Sequence, residues 1–232
     1  MTIVVHPVEG VGDVRPGDDL AAILAPALSP LEPAAGDVLV VTHKIVSKAE
    51  GAVAAVGDDE EEAYRRIVET EAAAVLRRRA DLVIAKTRHG FVCANAGVDR
   101  SNASPGTVVL LPREPDRSAH RLRTGLRRRL GVDLAVVITD TFGRAWRRGL
   151  VDVAIGISGI QPILDLRGTR DAGGRELQAT EVAVADEIAA AADLVMGKAA
   201  GIPAALMRGL QVPPGEGRAV DLIRPAGEDL FR

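Results

Sequence analysis

The chain has 232 residues, 47% of them hydrophobic, and a formal net charge of -3, which is enough apolar material to bury a core as one large domain or two lobes. One Trp, one Tyr and three Phe leave little for a base-stacking platform. The near-balanced charge gives no global field for DNA or an acidic membrane, so a small-molecule partner is expected rather than nucleic acid or a membrane. The single cysteine, Cys93, excludes an intrachain disulfide framework and a cysteine-rich zinc site. No leader-like pattern opens the chain and no apolar run approaches the roughly 20 residues of a membrane span, so the cytoplasm is the expected compartment.

In chain order, the apolar run 2–5 reads as a strand. The turn Val11-Gly12-Asp13-Val14-Arg15-Pro16-Gly17-Asp18-Asp19 follows, and its glycines would let backbone N–H groups approach phosphate oxygens. A strand at 37–41 exits into Thr42-His43-Lys44-Ile45-Val46-Ser47-Lys48, where lysine adds a point charge. The acidic stretch 58–62 suits a helix N-terminus, and a helix is expected over 60–79. Strands at 82–85 and 107–111 come next, then a surface turn at 112–115. The helix expected over 116–130 spaces Leu122, Leu126 and Leu130 four apart, with Gly131 as its stop. Its six arginines spread in several directions, which describes a solvated face better than a ligand fork. Strands at 134–139, 151–157 and 162–166, a surface turn at 166–174 and an Ala-rich helix at 177–192 complete the pattern. The loop Met196-Gly197-Lys198-Ala199-Ala200-Gly201-Ile202-Pro203 is a third candidate phosphate holder. The Pro- and Gly-rich stretch 212–218 would separate a tail, 219–232, from the core. This alternation predicts an α/β or mixed α+β protein without repeats.

Two segments carry the strongest chemical signal. The strand 134–139 runs into Asp140-Thr141-Phe142-Gly143-Arg144-Ala145-Trp146-Arg147, and carboxyl ends of strands form the ligand crevice of open α/β sheets. Asp140 is therefore a candidate ligand for a hard cation, with turn or helix capping as the structural alternative. Asn95-Ala96-Gly97-Val98-Asp99-Arg100-Ser101-Asn102 is a polar loop in which Asp99 and Asn102 could share one ligand, or form an ordinary Asx-rich turn. Oxygen donors without His or Cys clusters favour magnesium or manganese over zinc. The histidines His6, His43, His89 and His120 lack metal-site spacing and read as surface or packing residues, although His89 precedes the polar loop. Neither GxxxxGK[ST] nor GxGxxG is present, so a nucleotide would need another holder.

Four segments in order, Arg-Pro-Gly-Asp-Asp-Leu at 15–20, Ile-Val-Ser-Lys-Ala-Glu-Gly at 45–51, Thr-Arg-His-Gly-Phe-Val-Cys-Ala-Asn-Ala-Gly-Val-Asp at 87–99 and Thr-Asp-Thr-Phe-Gly-Arg-Ala-Trp-Arg at 139–147, resemble the coenzyme F420-0:L-glutamate ligase family over nearly the whole chain. The resemblance implies GTP-dependent amide formation between the F420 precursor and L-glutamate through an acyl phosphate, with γ-linked polyglutamylation as an extension. It implies divalent metal, Mg2+ or Mn2+, held by Asp99, Asp140 and Thr141, with K+ as a further candidate. By the same resemblance Val11 to Val14, Ser47, Lys48, Asn102 and the Met196 to Pro203 loop would contact GTP. Lys198 departs from the family's pattern, which carries an acidic residue in that loop; Glu176, Glu181 or water would then complete a metal shell. An intertwined homodimer is implied too, with residues 1–218 as the ligase domain and 219–232 resembling a connector to a flavin-dependent reductase domain. A non-catalytic nucleotide-binding module and a carboxylate–amine ligase with another acceptor remain open at this level.

Overall fold

The computed structural model describes residues 2–57, 59–101 and 103–229. Its strands are β1 (Val4–Pro7), β2 (Val38–Thr42), β3 (Val53–Ala55), β4 (Ala72–Arg79), β5 (Leu82–Thr87), β6 (Val92–Ala94), β7 (Thr107–Val109), β8 (Ala135–Arg144), β9 (Arg147–Ile160), β10 (Leu164–Asp165), β11 (Glu181–Val182), β12 (Ala204–Arg208) and β13 (Pro214–Gly215). The α-helices are α1 (Leu20–Leu28), α2 (His43–Ala49), α3 (Glu60–Glu71), α4 (Pro115–Leu130) and α5 (Val184–Met196). The mixed α and β composition expected from the sequence is present.

A six-stranded sheet in the order β1-β12-β2-β8-β9-β13 forms the centre. Within it β2 and β8 pair in parallel, and the remaining ladders are antiparallel. Val38 to Val41 and Val136 to Ile138 are fully buried at successive positions, so both faces of this parallel pair are covered, as near-continuous Val, Leu and Ile runs require. Helix α4 packs on β8 and β9 with α1 behind it, while α5 packs on β9, β12 and β1. The α4 stop is as expected: Gly131 adopts φ 71°, and its N–H reaches the Arg127 carbonyl, a conformation that costs glycine no Cβ clash.

A second buried cluster lies outside this sheet, where Val56, Tyr64, Val68, Val83, Ala96, Val98 and Val108 join α3 to β5 and the β3–β7 pair. It holds the polar loop. The Tyr64 hydroxyl donates to the Val98 carbonyl at 3.1 Å, and Arg100 lies 3.8 Å above the Tyr64 ring.

Several boundaries differ from the sequence reading. The helix expected over 60–79 ends at Glu71, and Ala72–Arg79 is a strand paired with β5 and largely exposed; ladder hydrogen bonding overrides the helix propensity of its alanines. The helix expected from 177 starts at Val184, after the short β10–β11 pair. Strand β8 continues past Thr139 to Arg144 in a long hairpin with β9. The turn at 112–115 exposes Arg113 and Glu114, but its flanking Pro112 and Pro115 are buried. Residues 212–218 are pinned to β9 through β13, and Ala219 is buried with its N–H on Asp116 at 3.0 Å. Trp146 lies at the hairpin tip, 81% exposed.

His89 is structural. Its Nε2–H donates to the carbonyls of Pro112 (3.0 Å) and Arg113 (3.2 Å), fixing the proton on that nitrogen because a carbonyl can only accept. Its Nδ1 is buried without a partner. Burial, reinforced by Arg88, holds the imidazole below the ordinary histidine value. A base with a depressed folded pKa costs stability as pH falls: the contribution is neutral above the unfolded value of about 6.5 and unfavourable below it, down to the folded pKa. His89→Gln should therefore flatten the decline in melting temperature between neutral and mildly acidic pH. Thermal melts across that range would check it, and a decline as steep as in the parent chain would discount His89 as the cause.

Candidate functional site

The parallel pair β2–β8 ends at Thr42 opposite Thr139, and everything chemical in the main sheet gathers beyond that line. A β-bulge lies directly there: Ile138 pairs with Gly156 and Thr139 with Ala154, leaving Ile155 as the extra residue. Bulges re-aim side chains next to sites. The Ala154 N–H is taken by Asp186 of α5 at 2.9 Å, and the Ile157 N–H by Asp116 of α4 at 2.9 Å, so helix carboxylates satisfy backbone donors that the ladder leaves over.

From β2 the chain turns at once into α2. His43 and Ser47 are four apart on the buried face, while Lys44 and Lys48, also four apart, face a cavity of about 350 Å3. That cavity is also lined by Val11, Gly12, Asp13 and Val14, by Asp140, Thr141, Asp152 and Asp193, and by the late loop. Backbone bonds fasten these walls together: Gly17 N–H to the Ala49 carbonyl and Thr42 N–H to the Pro203 carbonyl, both 2.9 Å.

The carboxylates differ in their partners. Asp152 is buried and accepts from Thr139 Oγ1 at 2.9 Å and Thr141 Oγ1 at 2.5 Å. Lys198 Nζ donates to Thr141 Oγ1 and stands 4.0 Å from Asp152 Oδ1. Asp193 is held above its ordinary value by burial and by Asp152, with Lys198 opposing. Asp140 Oδ1 accepts the Thr141 N–H at 2.7 Å and lies 3.3 Å from His43 Nε2. That nitrogen is fully buried and has no aligned hydrogen bond; the ring's Nδ1 is 3.4 Å from Ser47 Oγ. Cys93 is buried close by, and burial, reinforced by Asp140, pushes its thiol up to about 12, so it is no nucleophile at neutral pH.

Asp99 stands at the rim, outside the cavity lining. Lys44 Nζ meets Asp99 Oδ2 at 2.9 Å and Ser101 Oγ at 2.6 Å, and the Ser101 N–H bonds Asp99 Oδ1 at 2.6 Å. Burial would raise the Asp99 carboxyl, but hydrogen bonds from Lys44 and Ser101 outweigh it and lower it. Lys44 thus joins the polar loop to the cavity.

Of the residues read from the sequence, the structure brings Val11, Gly12, Asp13, Val14, Lys48, Asp140, Thr141, Met196, Gly197, Lys198, Ala199, Gly201, Ile202 and Pro203 to one cavity. Ala200 does not line it and Ser47 is buried behind α2. Asn102 lies outside the described residues. Trp146 and His89 are not at the cavity. Lys44, within the strand exit read as a phosphate holder, lines it too, while the sequence reading missed Asp152, Asp193 and the place of His43 beside Asp140. Asp152 carried a signal, being a carboxylate inside an apolar strand run; His43, read as a surface or packing residue, carried none.

Carboxylates and a hydroxyl facing lysines and glycine-bearing loops across one cavity, on an α/β sheet, are the make-up of an enzyme that handles anionic substrates. The chain belongs to the F420-0:gamma-glutamyl ligase family, whose model matches residues 10–209. It is 46% identical to the coenzyme F420:L-glutamate ligase of Methanopyrus kandleri over 100% of this chain and 98% of the relative. Against the enzymes of the same name from Methanothermobacter thermautotrophicus and Archaeoglobus fulgidus it is 41% identical, over 97% and 100% of this chain and 97% of each relative.

Removing Asp152 would leave the buried hydroxyl of Thr139 and the partly buried one of Thr141 without their acceptor. Each unsatisfied buried group costs about 1–3 kcal/mol. Asp152→Ala should therefore lower unfolding free energy by a few kcal/mol by urea titration, whereas an unchanged midpoint would place those hydroxyls on other partners.

Proposed function

We propose that this chain ligates L-glutamate to the F420 precursor F420-0, with GTP as the phosphoryl donor, and extends the product through γ-linkages. One observation carries the reading: three sequence-distant segments, around Gly12, Lys48 and Gly197, converge with Asp140 on a single cavity beyond the β2–β8 strand ends. Backbone N–H groups at Gly12 and Gly201 would approach phosphate oxygens closely, and Lys44 and Lys48 would add point charges. Asn102 is proposed as a further nucleotide contact.

The donors at Asp140, Thr141 and Asp99 are hard oxygens, the chemistry that suits Mg2+ or Mn2+, with K+ as an additional candidate. Among the described residues, no three His, Cys, Asp or Glu side chains are placed to hold an ion alone, so nucleotide oxygens and water would complete the shell around Asp140. When bound, a divalent ion supplies charge neutralisation for phosphoryl transfer. The protein's share is positioning. The terminal carboxylate of F420-0 attacks the γ-phosphorus, the bridging P–O bond breaks and GDP leaves. The glutamate amine then attacks the acyl carbon, the C–O bond breaks, and phosphate departs as the amine loses its proton to phosphate or solvent.

Two further features belong to the same proposal. Pairing into an intertwined homodimer is supported by the apolar surface that Val75, Leu76 and Leu82 expose on β4 and β5. A cytoplasmic setting fits a chain in which no helix of the described residues is long and apolar enough to cross a membrane. A reductase domain joined through 219–232 is the proposed fused partner.

The direct test is mass spectrometry of F420-0, GTP and glutamate incubated with the chain. Glutamylated product and GDP are expected, and GDP without glutamylated product would sink the ligase reading. Asp140→Asn should abolish turnover at limiting metal. His43 supports Asp140 from beneath, and losing such an outer partner costs about 10–100-fold in metal affinity or activity. His43→Phe should accordingly raise the Mg2+ concentration for half-maximal rate by that factor; an unchanged metal dependence would reduce His43 to packing.

A further inference from the structure

We infer that the Lys198 ammonium occupies a cation position in this cavity, so that Thr141 and Asp152 serve a built-in charge rather than a second metal ion. This rests on the metal-dependent ligase reading and narrows it: exchangeable metal belongs at Asp140, on the side facing Asp99.

The valences at Thr141 are the starting point. A hydroxyl has one donor and two lone pairs. The donor is committed to the buried carboxylate of Asp152, and Lys198 Nζ donates to the oxygen. A divalent ion on Thr141 Oγ1 would have to displace an ammonium or sit beside it, against like charge. Asp152 needs a positive neighbour: its side chain is 5% exposed and its two hydrogen-bonding partners are neutral hydroxyls. A buried carboxylate without a countercharge is expensive, and Lys198 is the cation that the structure brings to it.

Charge balance around the cavity points the same way. Asp13, Asp140, Asp152 and Asp193 line it with Lys44, Lys48 and Lys198. Lys44 is engaged with Asp99 and Ser101 at the rim. Lys198 comes from the glycine-bearing loop that follows α5, whose Gly197 and Gly201 take positive φ, and its side chain reaches Thr141 while remaining 55% exposed. The geometry is that of a tethered cation, able to neutralise phosphate on one side and Asp152 on the other, but unable to ligate a metal while protonated.

The test counts ions. Mn2+ alone, titrated into the full chain and followed by the electron paramagnetic resonance of the free ion, should show Lys198→Met taking up one more Mn2+ per chain than wild type. Lys48→Met, which removes the same charge from the same cavity without baring Thr141, should gain none. Circular dichroism would establish that each variant is folded, and Lys198→Gln replaces the methionine variant if that one is not. Equal uptake by wild type and the Lys198 variants overturns the inference while leaving the ligase reading intact. An equal gain in Lys48→Met overturns it as well, by showing a general charge effect. Failure of every protein, the Lys198 variants included, to take up Mn2+ overturns the inference and leaves the nucleotide-completed metal site at Asp140 untouched.

Discussion

The parallel register of β2 against β8, which stops at Thr42 opposite Thr139, is the constraint on which the rest of the structure depends. Where the pairing of two strands stops, each must send its chain somewhere, and here they diverge. After β2 the chain becomes α2, which delivers His43 inward and Lys44 and Lys48 to the cavity. β8 instead continues as a hairpin arm, placing Asp140 and Thr141 as the first residues beyond its parallel partner. Because β12 lies on the far side of β2, the loop that leads into β12 closes over the same line through the Thr42–Pro203 bond. A crevice at strand carboxyl ends is the general outcome of such topology.

Electrostatics then sets how tightly that crevice is specified. Five carboxylates stand in or beside it, Asp13, Asp99, Asp140, Asp152 and Asp193, and the partners of three differ in kind: hydroxyls for Asp152, a backbone N–H and a nearby imidazole for Asp140, an ammonium for Asp99. These arrangements need exact heights along β8 and β9, and the bulge at Ile155 provides them by shifting the β9 register so that Thr141 faces Asp152. A one-residue slip would turn Asp152 to the other face of the sheet.

Much of this was legible in the sequence, for physical reasons that differ by element. The β2 and β8 runs are apolar at successive positions because both faces are covered, and the α4 stop is legible because Gly131 accepts a left-handed turn. Asp140 was legible because it follows such a run directly. Ala72–Arg79 misleads because alanine and arginine favour helix locally, and only pairing with β5 decides otherwise. His43 and Asp193 were invisible for a related reason. Each acquires its role from a neighbour far away in sequence, His43 from Asp140 across the parallel ladder and Asp193 from Asp152 across the α5–β9 contact, and no local pattern encodes such a meeting.

Lys198 shows how one substitution type can redistribute a site without disturbing its fold. The late loop is exposed and glycine-bearing, so a change of side chain there alters little packing. What it alters is the sign of the charge presented to Thr141 and Asp152. An acidic residue in that loop would add a ligand and a negative charge, raising the demand for metal. A lysine removes the ligand and supplies the charge itself, so the buried Asp152 keeps a countercharge before any substrate arrives. Since the carboxylate sits on the rigid hairpin and the cation on the adaptable loop, the loop can yield to phosphate without unbalancing the sheet. A fixed hairpin carboxylate with its countercharge on a separate loop is therefore a sufficient physical basis for the cation requirement to depend on one loop side chain.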